Sequence, residues 1–511
     1  MKRKKIIIFA IILFIGFALR ILTLVQISST ALYNPVMMDK HDQKTFHLWA
    51  QSIIKHPVYV DGEAFYMAPL YAYFLAILYA ISGGSIFFAG LVQGLLDTTV
   101  IFLIYLLGRK IKDQNTGIIA AFLYAFYQTI ILYSITILSD GLIVFLNVLF
   151  IFVLYRAIET KKRISWVLSG LVLGLAALAK PTIIAFSPFI IIGLWLWPEN
   201  QLIVPLEKKH KSLHLARVLL LGGIGFAMII LPVTLRNLAV SGKFVLICTN
   251  GPINWQIGNS SDSVGLFCYP RGDLLHPLEF DFWKLFFKKF LLFFNSYEWP
   301  QNLSIYIARE IIPALKFAFV RFGFIVSLGI VGIFLAARNR KNFLFVSFTI
   351  VQIMWVIMFF ITDRYRLPAV ACLTVTAGFL IKQAIDEIRA KKLFRPAVLL
   401  ILAGLWAYIS GWKPDQPFAD MYWRIFAKLS KANIVYNLQI ENNNLAEKVA
   451  KDYEKLLPQD PDSHFFLACV YAEKGNIDDA EKELIKTLNL KPDHHYAKEF
   501  LDKMRKISPS N

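Results

Sequence analysis

The sequence predicts a mainly α-helical protein that crosses a membrane many times and ends in a small helical tail. Hydrophobic residues make up 57% of its 511 positions and charged residues only 17%, and the charges stand between long apolar runs. A helix that spans a bilayer needs about 20 mostly apolar residues, and runs of about that length recur along the chain. This composition excludes a soluble globular protein.

Eleven apolar runs are predicted to cross the membrane. They lie near residues 6–26, 87–107, 115–134, 140–157, 165–180, 182–197, 216–234, 319–337, 342–361, 367–383 and 396–411. A twelfth run, 69–83, is predicted to be a dipping or interfacial helix. If this run crossed, the first four or five basic loops after it would lie on the outer side, against the positive-inside rule.

The basic loops then predict the orientation. The N-terminal MKRKK is placed in the cytoplasm, together with the basic stretches GRKIKD, RAIETKKR, EKKHK, RNRK and KQAIDEIRAKK. We therefore expect a multi-pass protein of the cell (inner) membrane, with a cytoplasmic N-terminus and an extracytoplasmic C-terminal domain.

The net charge of +19 does not indicate a nucleic-acid partner. From Lys413 to the end, 15 Lys and Arg are balanced by 16 Asp and Glu, so the excess lies in the hydrophobic part of the chain, beside the predicted spans. Nucleic-acid binding needs a basic face, whereas loops that follow the positive-inside rule account for this charge.

Two domains are predicted from a change in composition near residue 412. Residues 1–411 form a membrane domain with outer loops at 27–86 and 235–318. Residues 412–511 form a charge-balanced helical domain outside the cytoplasm.

The tail carries a helical repeat pattern. The stretch CVYAEKGNIDDAEKELIKTLNLKPDHHYAKEFL predicts two helices joined at Gly475-Asn476, with Ala480 at the packing position. This pattern is typical of a tetratricopeptide repeat, and a weaker copy precedes it. We expect a scaffold, or a docking surface for a protein partner, without chemistry of its own.

Ionisable residues at the ends of the spans are the candidates for chemistry. With the predicted topology, six of them fall on the outer face of the membrane: Asp42, Asp140, Lys180, Arg236, Arg364 and Arg366. Ionisable groups at such positions are costly and usually face a cavity or a partner. Their one-sided distribution predicts a single site among the membrane lipids of the outer leaflet.

Two of these residues are carboxylates. Asp42 is predicted to begin an amphipathic helix, because apolar residues recur at helical spacing from Phe46 to Ile54, and Asp140 begins a span in SITILSDGLIVFL. Either can act simply as a helix N-cap. Together they can instead serve as catalytic groups, because an ionised carboxylate can take a proton from an attacking hydroxyl or hold a cation.

The cations match a phosphate group. In TDRYRLP, Arg364 and Arg366 flank Tyr365, and Lys180 and Arg236 lie at two other span ends. Guanidinium forks suit phosphate oxygens, although an interfacial anchor is the common alternative for each residue. Together these five residues are predicted to bind substrate. Carboxylates beside phosphate-matching cations suggest a lipid-phosphate donor and an acceptor nucleophile.

Several motifs of the sequence together resemble a known family. DQKTFHLWA resembles the Asp-x-x-x-Tyr-x-x-x-Ala pattern in the first outer loop of the protein O-mannosyltransferase-like (glycosyltransferase family 39-like) membrane enzymes. Further similar stretches follow in order: FYMAPLYAYFLAILYAISG, LSDGLIVFL, GLVLGLAALAKPT, LPVTLRNLAVSGKFVLICTNGPINWQIGN and DRYRLPA. With the tail, they resemble a bacterial branch that carries C-terminal tetratricopeptide repeats.

The resemblance implies a membrane C-type glycosyltransferase fold that uses a polyprenyl-phosphate sugar donor. It implies that Asp42 is the catalytic base, that Asp140 is the second acidic residue, and that basic residues hold the lipid phosphate. The chain departs from the family pattern at Phe46, where tyrosine is usual, and Asp39 offers a rival aspartate nearby.

The implied reaction is an inverting single displacement of the lipid phosphate by an acceptor oxygen. The acceptor can be a protein, a lipid or a glycan. No cofactor is required, although Asp39, Asp42 and Asp140 offer ligands for a divalent metal. The alternative from another class is a membrane transporter or a lipid-linked sugar flippase, in which the same charges line a path.

Overall fold

The computed structural model describes residues 2–37, 41–58, 62–197, 208–412 and 417–507. Asp39, the rival aspartate, lies outside these residues. Within them the chain is mainly helical, and the pairing of extended backbone is limited to isolated bridges. The predicted helical class is therefore confirmed.

The helices follow the apolar runs of the sequence. Up to residue 412 the helices are α1 Lys2–Ile27, α2 Asp42–Lys55, α3 Leu70–Ser82, α4 Ile86–Ile111, α5 Gln114–Ala125, α6 Gln128–Ile135, α7 Asp140–Thr160, α8 Arg163–Ala179, α9 Ser187–Leu196, α10 Lys208–Ser241, α11 Gly251–Asn259, α12 Phe280–Phe294, α13 Ile305–Ile311, α14 Phe322–Ala337, α15 Phe343–Met358, α16 Asp363–Arg389 and α17 Phe394–Ser410. The tail contains α18 Pro417–Gln439, α19 Asn443–Leu456, α20 Pro461–Glu473, α21 Ile477–Leu490 and α22 His495–Ile507.

Six helices of the described chain are long and apolar enough to cross a membrane. They span Arg3–Ile27, Ile86–Ile111, Asp140–Thr160, Ser212–Ser241, Arg340–Met358 and Asp363–Arg389. Shorter apolar helices lie at Leu70–Ser82, Arg163–Ala179, Pro181–Trp195, Phe322–Ala337 and Phe394–Ser410. A multi-pass membrane protein is thus supported, while the count of eleven crossings stays a prediction.

The predicted run 115–134 is not one continuous helix. The backbone leaves the helix at Phe126 and Tyr127, where a bridge to Val320 replaces the helical bonds: the Val320 N–H donates to the Phe126 carbonyl (3.1 Å) and the Gln128 N–H to the Val320 carbonyl (3.4 Å). Because this partner lies far along the chain, hydropathy alone gives no sign of the break.

Close helix contacts and a buried ion pair hold the membrane helices together. A Cβ on Gly108 of α4 would lie 2.6 Å from the Cα of Gly117 in α5, so both positions require glycine-sized residues. Elsewhere on α4, the Nε of Arg20 from α1 lies 2.6 Å from an Asp97 carboxylate oxygen, and the Tyr124 hydroxyl donates to the other oxygen (2.5 Å). These buried charges are paired with each other, as charges inside a membrane domain must be.

The described chain divides into two compact units. The first comprises residues 1–21, 46–301 and 317–414, and the second comprises 22–45, 302–316 and 415–511. The second unit thus combines the tail with two segments that the sequence analysis placed in the membrane domain, and one of these segments contains Asp42.

In the second unit, consecutive tail helices pack on each other. Gly475 adopts φ +78° at the turn between α20 and α21, where a left-handed backbone suits glycine. Ala480 is fully buried in a core with Leu484 and Leu501. The predicted helix, turn and helix are therefore present, while the assignment to a tetratricopeptide repeat stays a prediction.

Candidate active site

The site in the first unit is built on the N-terminal ends of α7 and α16. Asp140 is the first residue of α7, and Arg364 is the second residue of α16. The Arg364 Nε lies 3.2 Å and 3.1 Å from the two Asp140 carboxylate oxygens, and the two residues are only 4% and 3% exposed. A carboxylate in the first turn of a helix is favoured by the helix dipole. The structure thus brings together two residues that are 224 positions apart.

Lys180 and Tyr365 extend this pair. Lys180 follows the last residue of α8, and its ammonium lies 3.6 Å from the centroid of the Tyr365 ring. The Arg364 guanidinium lies 5.4 Å from the centroid of the same ring. A cation over an aromatic face is attracted by the ring quadrupole. The Tyr365 ring therefore has both a lysine and an arginine beside it.

The charge balance around Lys180 favours an anionic ligand. The charged groups that act on its ammonium are Asp140 and Arg364. Throughout the described ranges, the Lys180 ammonium has neither an ion pair nor a hydrogen bond with another residue. Asp140 already binds Arg364, so the ammonium retains its capacity to bind an added anion.

Asp363 and Tyr133 hold the start of α16 in place. The Tyr133 hydroxyl lies 2.9 Å from a carboxylate oxygen of Asp363 and 2.8 Å from the Gln301 carbonyl oxygen. The same Asp363 oxygen accepts the Arg364 main-chain N–H at 2.7 Å. Sequence reasoning passed over both residues. Asp363 stood beside Arg364 in TDRYRLP, whereas Tyr133 lies in an apolar run that gives no local signal.

Arg366 contacts a different part of the fold. It is fully buried, and its guanidinium donates to the carbonyls of Asn295 (3.2 Å), Tyr297 (3.0 Å) and Leu292 (2.7 Å). Its Cζ also lies 4.3 Å from the Phe322 ring centroid. Main-chain carbonyls at a helix C-terminus attract a cation. These contacts tie α16 to the end of α12 and the loop after it.

Arg236 likewise contacts main-chain carbonyls. Its guanidinium, near the end of α10, donates to the carbonyls of Val58 (3.1 Å) and Glu63 and lies 4.0 Å from the Phe65 ring centroid. The adjacent Asn237 side chain accepts the Phe65 N–H at 3.2 Å. Together these two residues bind main-chain groups of Val58, Glu63 and Phe65, between α2 and α3, to α10.

Asp42 lies in the second compact unit. It begins α2, is half-buried and accepts a hydrogen bond from the side-chain amide of Asn302 at 3.1 Å. Asn302 has φ +68°, a left-handed conformation that asparagine tolerates better than most residues. That Asp42 and Asp140 share one crevice stays a prediction. No local pattern in the sequence indicated Asn302.

Phe46 is packed as a core residue, and potential metal ligands do not cluster in the described part of the chain. Phe46, at the position where tyrosine is usual, is 3% exposed and packs edge-on against the Tyr71 ring at 4.8 Å, as an apolar residue would. The described part of the chain contains no group of three potential metal ligands among His, Cys, Asp and Glu. Since Asp39 lies outside that part, the divalent metal stays a prediction.

Solved structures with a partial likeness are archaeal oligosaccharyltransferases. The apo form of the Archaeoglobus fulgidus enzyme matches with a TM-score of 0.44 and 16% identity, covering 83% of this chain and 57% of that chain. Its complex with zinc and sulfate gives 0.46 and 16%, covering 83% and 55%. The same organism's AglB, in complex with an inhibitory peptide and a dolichol-phosphate, gives 0.43 and 15%, covering 84% and 58%.

This chain therefore matches little more than half the length of those enzymes. The TM-scores and identities are too low to support an argument about the site or the activity. A comparison with curated proteins finds no similar sequence.

A family model gives the informative match. Residues 65–229 match the model described as dolichyl-phosphate-mannose-protein mannosyltransferase. This segment contains Asp140 and Lys180, and it covers three of the six stretches from which the resemblance was drawn: FYMAPLYAYFLAILYAISG, LSDGLIVFL and GLVLGLAALAKPT. The resemblance to the protein O-mannosyltransferase-like membrane glycosyltransferases is therefore confirmed, with residues 65–229 as the matching part of the chain.

Proposed function

We propose that this protein is a membrane glycosyltransferase that moves one sugar from a polyprenyl-phosphate carrier to an acceptor outside the cytoplasm. The family match over residues 65–229 supports the enzyme class. The observation that supports a phosphate-bearing donor is the arrangement of Lys180 and Arg364 around the Tyr365 ring. Among the residues described, the Lys180 ammonium has a ring contact but neither an ion pair nor a hydrogen bond.

The donor's phosphate would bind between the two cations. The Arg364 guanidinium offers a planar fork that matches phosphate oxygens as well as it matches the Asp140 carboxylate. Lys180 adds a compact positive charge. Asp140 would hold Arg364 in place. The cations would then stabilise the negative charge that develops on the lipid phosphate as the sugar leaves, which is the kind of interaction that lowers a transition state most.

The acceptor side is assigned to Asp42. Its carboxylate would take the proton from the acceptor hydroxyl while the acceptor oxygen attacks the anomeric carbon. The bond from that carbon to the phosphate oxygen breaks, the lipid phosphate departs with the electron pair, and the configuration inverts. Every transferred atom comes from the donor or the acceptor, and the proton goes to Asp42.

Arg366 and Arg236, predicted from the sequence as substrate ligands, are assigned supporting roles. Both guanidinium groups donate to main-chain carbonyls that belong to the fold. For Arg366, replacing these contacts by a substrate would leave buried carbonyls without donors, which is costly. The Arg236 contacts are exposed and are made to main-chain groups of Val58 and Glu63. We therefore place the phosphate at Lys180 and Arg364.

The orientation with the loop 235–318 and the tail outside is part of the proposal, and cysteine labelling tests it. Cys268 in this loop is exposed. Cys469 in the tail is a poorer probe, because it is half-buried and burial raises the pKa of its thiol to about 12, which leaves little reactive thiolate. A membrane-impermeant maleimide added to intact spheroplasts should label wild type and not Cys268→Ser. Labelling of Cys268 only after lysis would contradict the proposed topology.

The activity itself is tested with the full-length protein in nanodiscs. A panel of undecaprenyl-phosphate sugars is supplied with membrane, protein and glycan acceptors, and the release of undecaprenyl phosphate is measured. Wild type should release it with at least one donor, whereas Asp42→Asn should lose the activity and retain its thermal stability. Transfer at the wild-type rate by Asp42→Asn would overturn the assignment of the base. Movement of the glycolipid across proteoliposomes without transfer would indicate a flippase instead.

A further inference from the structure

The C-terminal helices bind main-chain groups of the residues that directly follow α1. Asn433 of α18, which is 3% exposed, donates its side-chain amide to the Ala31 carbonyl at 3.1 Å and to the Leu429 carbonyl at 2.9 Å. Lys448 of α19 donates to the Ser29 carbonyl at 2.8 Å. Two tail helices thus bind main-chain groups at Ser29 and Ala31, which lie between the end of α1 and the predicted base in the sequence.

A second contact reaches Asp42 from the other segment of the unit. Asn302, just before α13, donates its side-chain amide to the Asp42 carboxylate at 3.1 Å. Farther along, the Ala314 N–H donates to the Gln26 side chain at 2.8 Å, which ties this segment to the end of α1. Asp42 thus belongs to the same compact unit as the tail and residues 302–316, and Asn302 contacts it directly.

We propose that Asn302 is the positioning residue of Asp42 and that the tail, through Asn433 and Lys448, is a structural part of the acceptor-side site. The tail then serves the reaction by holding the segment that carries the base. This inference rests on the proposed function, in which Asp42 takes the proton from the acceptor.

The chemistry follows from the amide. A hydrogen bond donated to a carboxylate fixes the orientation of the group and favours its ionised form. Removing the amide should therefore raise the pKa of the base. The acid limb of the kcat/KM profile, which reports that pKa in the free enzyme, should move to higher pH. A residue that served only packing would change the rate or the stability without moving this limb.

Asn302→Gly is the sharpest variant, because glycine adopts φ +68° without strain and removes only the amide. We expect its acid limb to shift to higher pH, with a rate loss that shrinks as the pH is raised. Asn302→Asp should shift the limb further, because a second carboxylate beside Asp42 disfavours ionisation. An acid limb that stays at the wild-type pH in both variants would overturn the positioning role.

The tail contacts have matched controls on the same helices. Asn433→Asp removes the donors to Ala31, whereas Asn437→Ala removes an amide that donates only within α18, to the Asn433 carbonyl at 2.7 Å. Lys448→Met removes the donor to Ser29, whereas Lys451→Met removes a lysine that bonds Glu447 within α19 at 2.6 Å. We expect a fall in kcat of about tenfold to a hundredfold for Asn433→Asp and Lys448→Met, and wild-type rates for both controls.

The outcomes separate the two proposals. If Asp42→Asn retains transfer, the proposed function fails. If Asp42→Asn is inactive while Asn302→Gly, Asn433→Asp and Lys448→Met keep the wild-type rate and pH profile, the tail is a docking module and this inference fails. Should Asn433→Asp not fold, Lys448→Met and the pH profile of Asn302→Gly decide the matter.

Discussion

Arg364 and Arg366 lie two residues apart on α16, and both are almost fully buried, yet they contact different kinds of groups. Arg364 binds the Asp140 carboxylate and lies near the Tyr365 ring, which the Lys180 ammonium also contacts. Arg366 donates to three carbonyls at the end of α12 and in the following loop. Successive helix residues differ by about 100° in direction, so residues two apart face different neighbours.

The two arginines differ in whether a substrate phosphate can share their present contacts. A carboxylate and a phosphate present similar oxygen pairs to a guanidinium, so a phosphate can share Arg364 with Asp140. Main-chain carbonyls are fixed parts of the fold, and the donor that satisfies them cannot be withdrawn without cost. Arg364 is therefore expected to govern activity, and Arg366 stability.

The largest effect is expected from Arg364. Arg364→Gln should lower sugar transfer by roughly a hundredfold to a thousandfold, because it removes a donor that stabilises the departing phosphate. It also breaks the buried ion pair with Asp140, which costs about 3–5 kcal/mol of stability. The double variant Asp140→Asn/Arg364→Gln should recover the melting temperature without recovering transfer. Recovery of both would make the pair merely structural.

A smaller loss of activity is expected from Lys180. Lys180→Met should lower kcat/KM for the lipid donor by about tenfold to a hundredfold. Its melting temperature should stay close to that of wild type, since the ammonium makes no ion pair within the described chain. Lys180→Arg should retain part of the activity. Steady-state kinetics in nanodiscs provide the test, and an unchanged kcat/KM in Lys180→Met would remove Lys180 from the donor site.

Arg366→Gln should reverse this pattern. We expect a loss of stability of about 1–3 kcal/mol, because buried carbonyls at the end of α12 lose their donors. The transfer rate per folded molecule should remain within about tenfold of wild type. Thermal melts and active-site titration on the same preparation distinguish the two effects. A stable protein that lacks activity would place Arg366 on the substrate.

The smallest effect is expected from Arg236. It is half-buried and binds carbonyls of the loop between α2 and α3, so Arg236→Gln should cost about 1 kcal/mol of stability or less. Transfer should fall only a few-fold, and hydrogen exchange in the loop should increase. A large rise in the KM for the donor without faster exchange would argue that Arg236 touches the lipid phosphate.

The sequence predicted those residues of the candidate site that a local pattern marks. Asp140, Lys180 and Arg364 were found because charges at the ends of apolar runs stand out, and the tail's turn was found from Gly475. The same criterion could not separate Arg364 from Arg366, because the partner of each comes from a distant part of the chain.

Other features had no local signal at all. Asn302 meets Asp42 across 260 positions, and Tyr133 meets Asp363 across 230. The break between α5 and α6 depends on Val320, also far along the chain. Hydropathy and charge report where a residue stands relative to the membrane, whereas these contacts depend on which helices become neighbours.

The phosphate site at Lys180 and Arg364 is tested most directly by native mass spectrometry of the full-length protein. The measurement compares the binding of undecaprenyl phosphate with that of undecaprenol. We predict that wild type and Arg366→Lys bind the phosphate form in preference to the alcohol, and that Lys180→Met and Asp140→Asn/Arg364→Gln lose this preference while remaining folded. An undiminished preference in both of those variants would contradict a phosphate site at Lys180 and Arg364.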